Sequence, residues 1–190
     1  MTFNKHIHHR QSIRLRNYDY SQGGMYFITI CTHNKFPLFG NVENENMMLN
    51  DIGIIAHEEW QKINAMRPNI TLDAFVVMPN HVHGVIVLCD ARHNNSGVMN
   101  HAPTEDGCVG AQFIAPQSPG IVPIKLGEIV RAYKARCTHA IHEIPGMEST
   151  PIWQRNYYER IIRNENELAA VREYIINNPL QWALDEMYVL

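Results

Sequence analysis

Two apolar runs, LDAFVVM and HVHGVIVL, lie in the middle of the chain, parted only by Pro79-Asn80. Runs of that length, rich in β-branched residues and split by a turn dipeptide, read as a β-hairpin over 71–88. What flanks the hairpin limits the fold most. On its N-terminal side, Asn50 and Asp51 suit a helix start. Ile52, Ile55, Trp60, Ile63 and Met66 then recur at helical spacing, which predicts a helix over 51–66 ending before Pro68. Before that helix, MYFITICTH at 25–33 reads as a strand, and 37–45 as its short hairpin partner. On the C-terminal side a helix is predicted at 124–142, a strand at 152–162 and a last helix at 165–178, stopped by Pro179. Without the short strand and the last helix, the order is βαββαβ. That is the ferredoxin-like or RRM-like α+β pattern, an antiparallel sheet with both helices on one face. The added C-terminal helix would pack on or beside the sheet.

The 190 residues suit one domain. We divide them into a flexible basic arm (1–22), a single domain (23–182) and a tail (183–190). A loop at 90–122 is dense in Gly, Pro, Asn and Ser, and a loop of that length is either functional or disordered. No stretch of about 18 apolar residues is present, which excludes a membrane-spanning helix. The start has no apolar h-region of a secretory signal. Cys31, Cys89, Cys108 and Cys137 lie far apart with no C-x-x-C pair, against a zinc ribbon, a thioredoxin site or a disulfide scaffold. A reducing cytoplasm is the expected location. Net charge is −3, which disfavours a nucleic-acid binder held by bulk charge. Residues 1–20 and 125–163, however, each carry three more cationic than anionic side chains. Two such regions could build a phosphate-binding face.

His81 and His83 are i, i+2 on a predicted strand, so their imidazoles stand on one face. Adjacent neutral imidazoles suit a divalent metal. The plainer reading is a pair of half-buried structural histidines. A second such spacing, His6 and His8, falls in the arm and reads as unstructured polar chain. Tyr174 and Asn178 are i, i+4, on one face of the last helix, with Tyr174 offset from the Leu168, Val171, Ile175 stripe. A phenol with pKa near 10 is a poor nucleophile without help, and a helical tyrosine is usually packing. The block from Trp153 to Arg160 mixes aromatic and basic residues. On a strand it could stack bases and pair phosphates, or form an ordinary sheet face.

Together, MPNHVHGVIVL, PIWQRNYYERIIRNENEL and VREYIINNPLQW closely resemble the single-tyrosine HUH transposases, most strongly the REP-associated tyrosine transposase branch. The resemblance runs over about residues 17–182. It implies that His81 and His83 ligate a catalytic Mg²⁺ or Mn²⁺, with Asn178 as the third, polar ligand. It implies that Tyr174 is the nucleophile, that the substrate is single-stranded DNA bearing hairpins, and that cleavage leaves a 5′-phosphotyrosine and a free 3′-OH. Arg131, Lys134, Arg155, Arg160 and Arg163 are the expected phosphate contacts, with Arg10, Arg14 and Arg16 of the arm reaching a hairpin stem. The mild acidity of the chain predicts modest, salt-sensitive affinity. Monomers and homodimers both remain open. One rival is a non-catalytic RRM-like nucleic-acid-binding protein. Another is a metal-dependent hydrolase, for which Asp73 and Asp90 are the nearest acidic residues.

Overall fold

The computed structural model describes residues 23–67, 69–89 and 125–184. The expected arm, the 90–122 loop and residues 185–190 of the tail lie outside the described residues.

Four strands form the main sheet: β1 (Gly24–Cys31), β4 (Ile70–Met78), β5 (His81–Leu88) and β6 (Tyr158–Ile162). Their spatial order is β4-β5-β1-β6, with every neighbouring pair antiparallel. Helix α1 (Asp51–Met66) connects β1 to β4, and α2 (Leu126–His142) lies between β5 and β6 in sequence. This is the ferredoxin-like βαββαβ order expected from the sequence.

One sheet face carries the main core. Tyr26, Ile28 and Ile30 of β1 and Val82 and Ile86 of β5 are buried there with Trp60 and Ile63 of α1 and Ile129, Tyr133 and Ile141 of α2. The Tyr133 hydroxyl donates to the Ala56 carbonyl at 3.0 Å and ties α2 to α1. Beside it, Glu59 of α1 accepts from Arg136 of α2 at 2.7 Å and from Lys62 at 2.6 Å. Burial pushes the Glu59 carboxyl pKa up, but the two cations outweigh it and the net shift is downward. Gly84 sets how closely α1 approaches the sheet. Trp60 lies flat against Phe75, with ring centroids 4.4 Å apart and 7° between planes. A Cβ on Gly84 would meet the Trp60 ring at 2.4 Å.

The other face is covered by α3 (Glu165–Asn177), whose Leu168, Val171 and Ile175 pack over Val85 and Ile162. The sheet thus lies between two helical layers. Tertiary packing places the C-terminal helix opposite α1 and α2, where alternate strand residues such as Phe27, Val76, Val85 and Val87 form a second apolar face.

Several segments differ from expectation. The segment 37–45 does not pair with the first strand. Its β2 (Gly40–Glu43) pairs with β3 (Asn46–Leu49) in a separate hairpin. Asn44 and Glu45 both adopt positive φ (50° and 65°), which reverses the chain at once. The expected strand at 152–162 shrinks to Tyr158–Ile162. Upstream, a lone bridge joins Trp153 to Thr32, and the Lys134 ammonium takes the carbonyls of Gln154 and Asn156 that a ladder would use. Helix α2 begins at Leu126, with residue 124 outside the described residues, and α3 ends at Asn177 with Asn178 as its C-cap. Among the described residues, no helix is long and apolar enough to cross a membrane.

Candidate active site

The strand period puts His81, His83, Val85 and Val87 on the α3 face of β5. Across the ladder, Thr29 of β1 lies opposite His83, and Phe27 opposite Val85. His81 and His83 are both buried, with ring centroids 4.4 Å apart. Each ring is oriented through Nδ1. Asn80 donates its Nδ2 to the Lys35 carbonyl at 3.1 Å, which turns its Oδ1 toward His81 Nδ1 at 2.8 Å. That oxygen only accepts, so His81 carries its proton on Nδ1 and leaves the Nε2 lone pair free to ligate. His83 Nδ1 lies 2.8 Å from the Thr29 hydroxyl.

Helix α3 brings up the remaining groups. The Asn164 side chain caps its N-terminus by accepting from the Glu167 N–H at 2.8 Å. A bulge in β4 between Leu72 and Phe75 turns Asp73 toward α3, where Arg172 donates to both carboxylate oxygens at 2.8 and 2.7 Å. Two residues on, the Tyr174 hydroxyl stands 3.2 Å from His83 Nε2. It donates to the ring when His83 shares its proton with Thr29 through Nδ1. Phe27 stacks on His83 (5.2 Å, 30°) and meets Tyr174 edge-on (6.0 Å, 88°). Asn178, one turn beyond Tyr174, is buried, and Trp182 lies 5.8 Å from the His81 ring. Burial pushes the His81 pKa down to about 3, against a smaller upward pull from the neighbouring Asn178 side chain. His81 is therefore neutral near pH 7, the form that ligates metals.

The four residues singled out for chemistry, His81, His83, Tyr174 and Asn178, thus meet in one place. The basic residues do not. Arg160 on β6 is opposite Phe27, exposed on the α3 side, with Glu167 4.0 Å away. Arg163 lies beside the start of α3, 3.9 Å from Glu167. Arg131 and Lys134 belong to α2, on the far face of the sheet, and Lys134 is occupied by the two carbonyls named above. Arg155 is exposed in the irregular segment before β6. Arg10, Arg14 and Arg16 fall outside the described residues. Sequence reasoning missed Thr29, Asn80 and the Asp73–Arg172 fork. A threonine inside an otherwise apolar strand was a usable signal for the first. The fork depends on a bulge that no local pattern announces.

Among the described residues, no three His, Cys, Asp or Glu side chains cluster as a metal site. The donor set here is two imidazoles and a carboxamide. It fits a divalent ion on two counts: His81 Nε2 is buried, has no hydrogen bond at normal distance, and carries the lone pair. Asn178 stands beside it.

This arrangement of sheet and helices is similar to that of a solved REP-associated tyrosine transposase bound to a REP hairpin. The two align with a TM-score of 0.56 at 20% identity, over 91% of this chain and 76% of that one. The chain has the fold of that transposase, as its motifs led one to expect. It is also 41% identical over 188 residues to an uncharacterized protein of Haemophilus influenzae Rd, spanning 98% of this chain and 97% of the relative. The chain belongs to one family with that protein. No family model matches it.

Proposed function

We propose that the protein is a DNA transposase that cleaves and rejoins hairpin-bearing single-stranded DNA through Tyr174. The observation that carries this reading is the 3.2 Å approach of the Tyr174 hydroxyl to His83, beside His81 and Asn178. A tyrosine buried for packing would have no reason to end on a histidine pair that is already oriented from behind by Thr29 and Asn80.

In the reaction, the Tyr174 oxygen attacks the scissile phosphorus and the bond to O3′ breaks. The phenolic proton passes to solvent, and the departing O3′ takes one up. The product is a 5′-phosphotyrosine with a free 3′-OH. Ester energy is retained, so an incoming 3′-OH can attack the adduct and join strands. His81 and His83, with Asn178, would hold a Mg²⁺ or Mn²⁺, which supplies charge neutralisation at the phosphate when bound. Without the ion, His83 Nε2 holds the Tyr174 hydroxyl beside the site; Thr29 and Asn80 hold the rings, and Phe27 packs on His83. The tyrosine reaches a histidine of its own chain, an arrangement compatible with action in cis. Arg160 and Arg163, on the tyrosine side, are the best-placed phosphate contacts.

The rivals fit less well. An RRM-like binder reads nucleic acid on the sheet face opposite its helices, and here α3 covers that face. A hydrolase needs acidic ligands at the histidines, yet Asp73 is held in the fork of Arg172.

The test is incubation with labelled single-stranded hairpin oligonucleotides and Mn²⁺, followed by a denaturing gel. A covalent band that vanishes in Tyr174→Phe and His81→Ala is the expected result. A band that survives Tyr174→Phe, or binding with no adduct on any of a broad set of hairpins, would overturn the reading.

A further inference from the structure

Helix α3 does not cover its sheet face evenly. Along β6 the side chains facing α3 are Ile162, Arg160 and Tyr158, by their register with Met25, Phe27 and Thr29. Ile162 is buried under α3, whereas Arg160 and Tyr158 are exposed. The cover therefore runs out toward the start of β6, and the uncovered strip lies beside the histidines.

Tyr158 stands on that strip. Its Cα partner is Thr29, and Thr29 holds His83. Two strand spacings, roughly 10 Å, separate the Tyr158 and His83 backbones. Its ring is 48% exposed, and its side chain makes no hydrogen bond or ring contact among the described residues. The neighbouring Tyr157 is different, since it packs against the main core. A large exposed aromatic on a sheet edge adds nothing to folding and invites sticky contacts. It does suit a nucleobase, whose flat face an exposed ring can stack. A phosphate held between Tyr174 and the histidines brings an attached base within reach of this strip. Arg160, two residues along on the same side, is placed for the adjoining phosphate.

We propose that Tyr158 is the stacking platform for the base flanking the scissile phosphate, and so helps decide where along a single strand cleavage falls. This rests on the transposase reading. Tyr158 lies too far from the histidine pair to replace Tyr174 as nucleophile. Its role is to position the strand.

The experiment uses the full chain and hairpin oligonucleotides that carry 2-aminopurine, or an abasic site, at each position of the single-stranded flank in turn. Two quantities are read: 2-aminopurine fluorescence on binding, and the rate of covalent adduct formation. In wild type, one position is expected to show quenching, and an abasic site there slows adduct formation about ten- to a hundredfold. Tyr158→Leu should lose the quenching and slow the intact substrate by a similar factor. It should be nearly indifferent to the abasic site at that position. Tyr158→Phe keeps the ring and should behave as wild type. Circular dichroism checks that Tyr158→Leu folds, as its exposure leads one to expect. Unchanged quenching in Tyr158→Leu, or penalties for the variant and the abasic site that simply multiply, would overturn the proposal. If wild type quenches at one position in a Tyr158-dependent way but forms no adduct, stacking stands and the transposase reading fails. Absence of quenching at every position in wild type overturns the stacking role whatever the adduct assay shows.

Discussion

Substituting Gly84 by Ala places one methyl group where the sheet has no room for it. The new Cβ would lie 2.4 Å and 2.6 Å from Cζ2 and Cη2 of Trp60, and 3.2 Å from Cδ2 of Phe75. Carbon atoms rest at about 3.5–4.0 Å, so the indole or the strand must retreat by about 1 Å. Neither moves freely. Trp60 is stacked on Phe75 on one side and meets Tyr133 edge-on at 5.4 Å, and β5 is hydrogen-bonded to both neighbours. Overpacking of this kind costs about 1–3 kcal/mol, and the absence of slack puts Gly84→Ala in the upper half of that range. Urea unfolding at constant m-value measures it. The geometry also says which atoms are at fault. Trp60→Phe removes the six-membered ring edge that the methyl would strike. In that background Gly84→Ala should lose at least about 1 kcal/mol of its penalty, a coupling that a double-mutant cycle reads directly. Equal penalties in the two backgrounds, or a penalty below about 0.5 kcal/mol in wild type, would refute the argument. His83 is the next residue along β5, so the single variant should also slow adduct formation.

Acid should act on the same strand. His81 is buried neutral with a pKa near 3, against an ordinary 6.5. Between those values the unfolded chain binds a proton that the folded one refuses, so stability falls as pH falls through that window. From pH 7 to pH 5 in the presence of a chelator the loss is about 2 kcal/mol, and His81→Asn should flatten that part of the profile. An identical slope in the variant would assign the loss to other groups. The Asp73–Arg172 fork predicts a split. Arg172 holds the Asp73 carboxyl below its usual value, so its contribution is present above pH 4 and fades as pH falls further. The pair is partly exposed, so Arg172→Ala should cost under about 1 kcal/mol in urea. Yet it should slow adduct formation several-fold at unchanged DNA affinity, because it frees the helix turn that carries Tyr174. Parallel losses in affinity and rate would show that the fork does not act through the tyrosine.

Much of the fold is legible in the chain because its elements obey strict periods. The hairpin at 71–88 is bounded by a turn dipeptide, and α1 and α3 begin at asparagines whose side chains do cap them. The histidine pair needed only the two-residue strand period, and Tyr174 with Asn178 only the helical one. What escaped notice arises between elements. Local propensity at 152–157 favours a strand, but a lysine from α2 takes the carbonyl groups first. The basic residues look like one patch in sequence, yet the sheet divides them, with Arg131 on one side and Arg160 on the other. The rings' rear supports, Thr29 and Asn80, lie on a different strand and in a turn, and only register brings them to the histidines.

The two apolar clusters share no residue, and they are unequal. The one beneath α1 and α2 draws on three strands and two helices, whereas α3 rests on Val85 and Ile162 through three buried side chains of its own. Such a molecule has two tiers of cooperativity. Amide hydrogens of α3 should exchange through local opening well before those of β1 and β5, whose exchange waits for global unfolding. Tyr174, the proposed nucleophile, therefore travels on the part of the protein that can let go, and the histidines stay on the part that cannot.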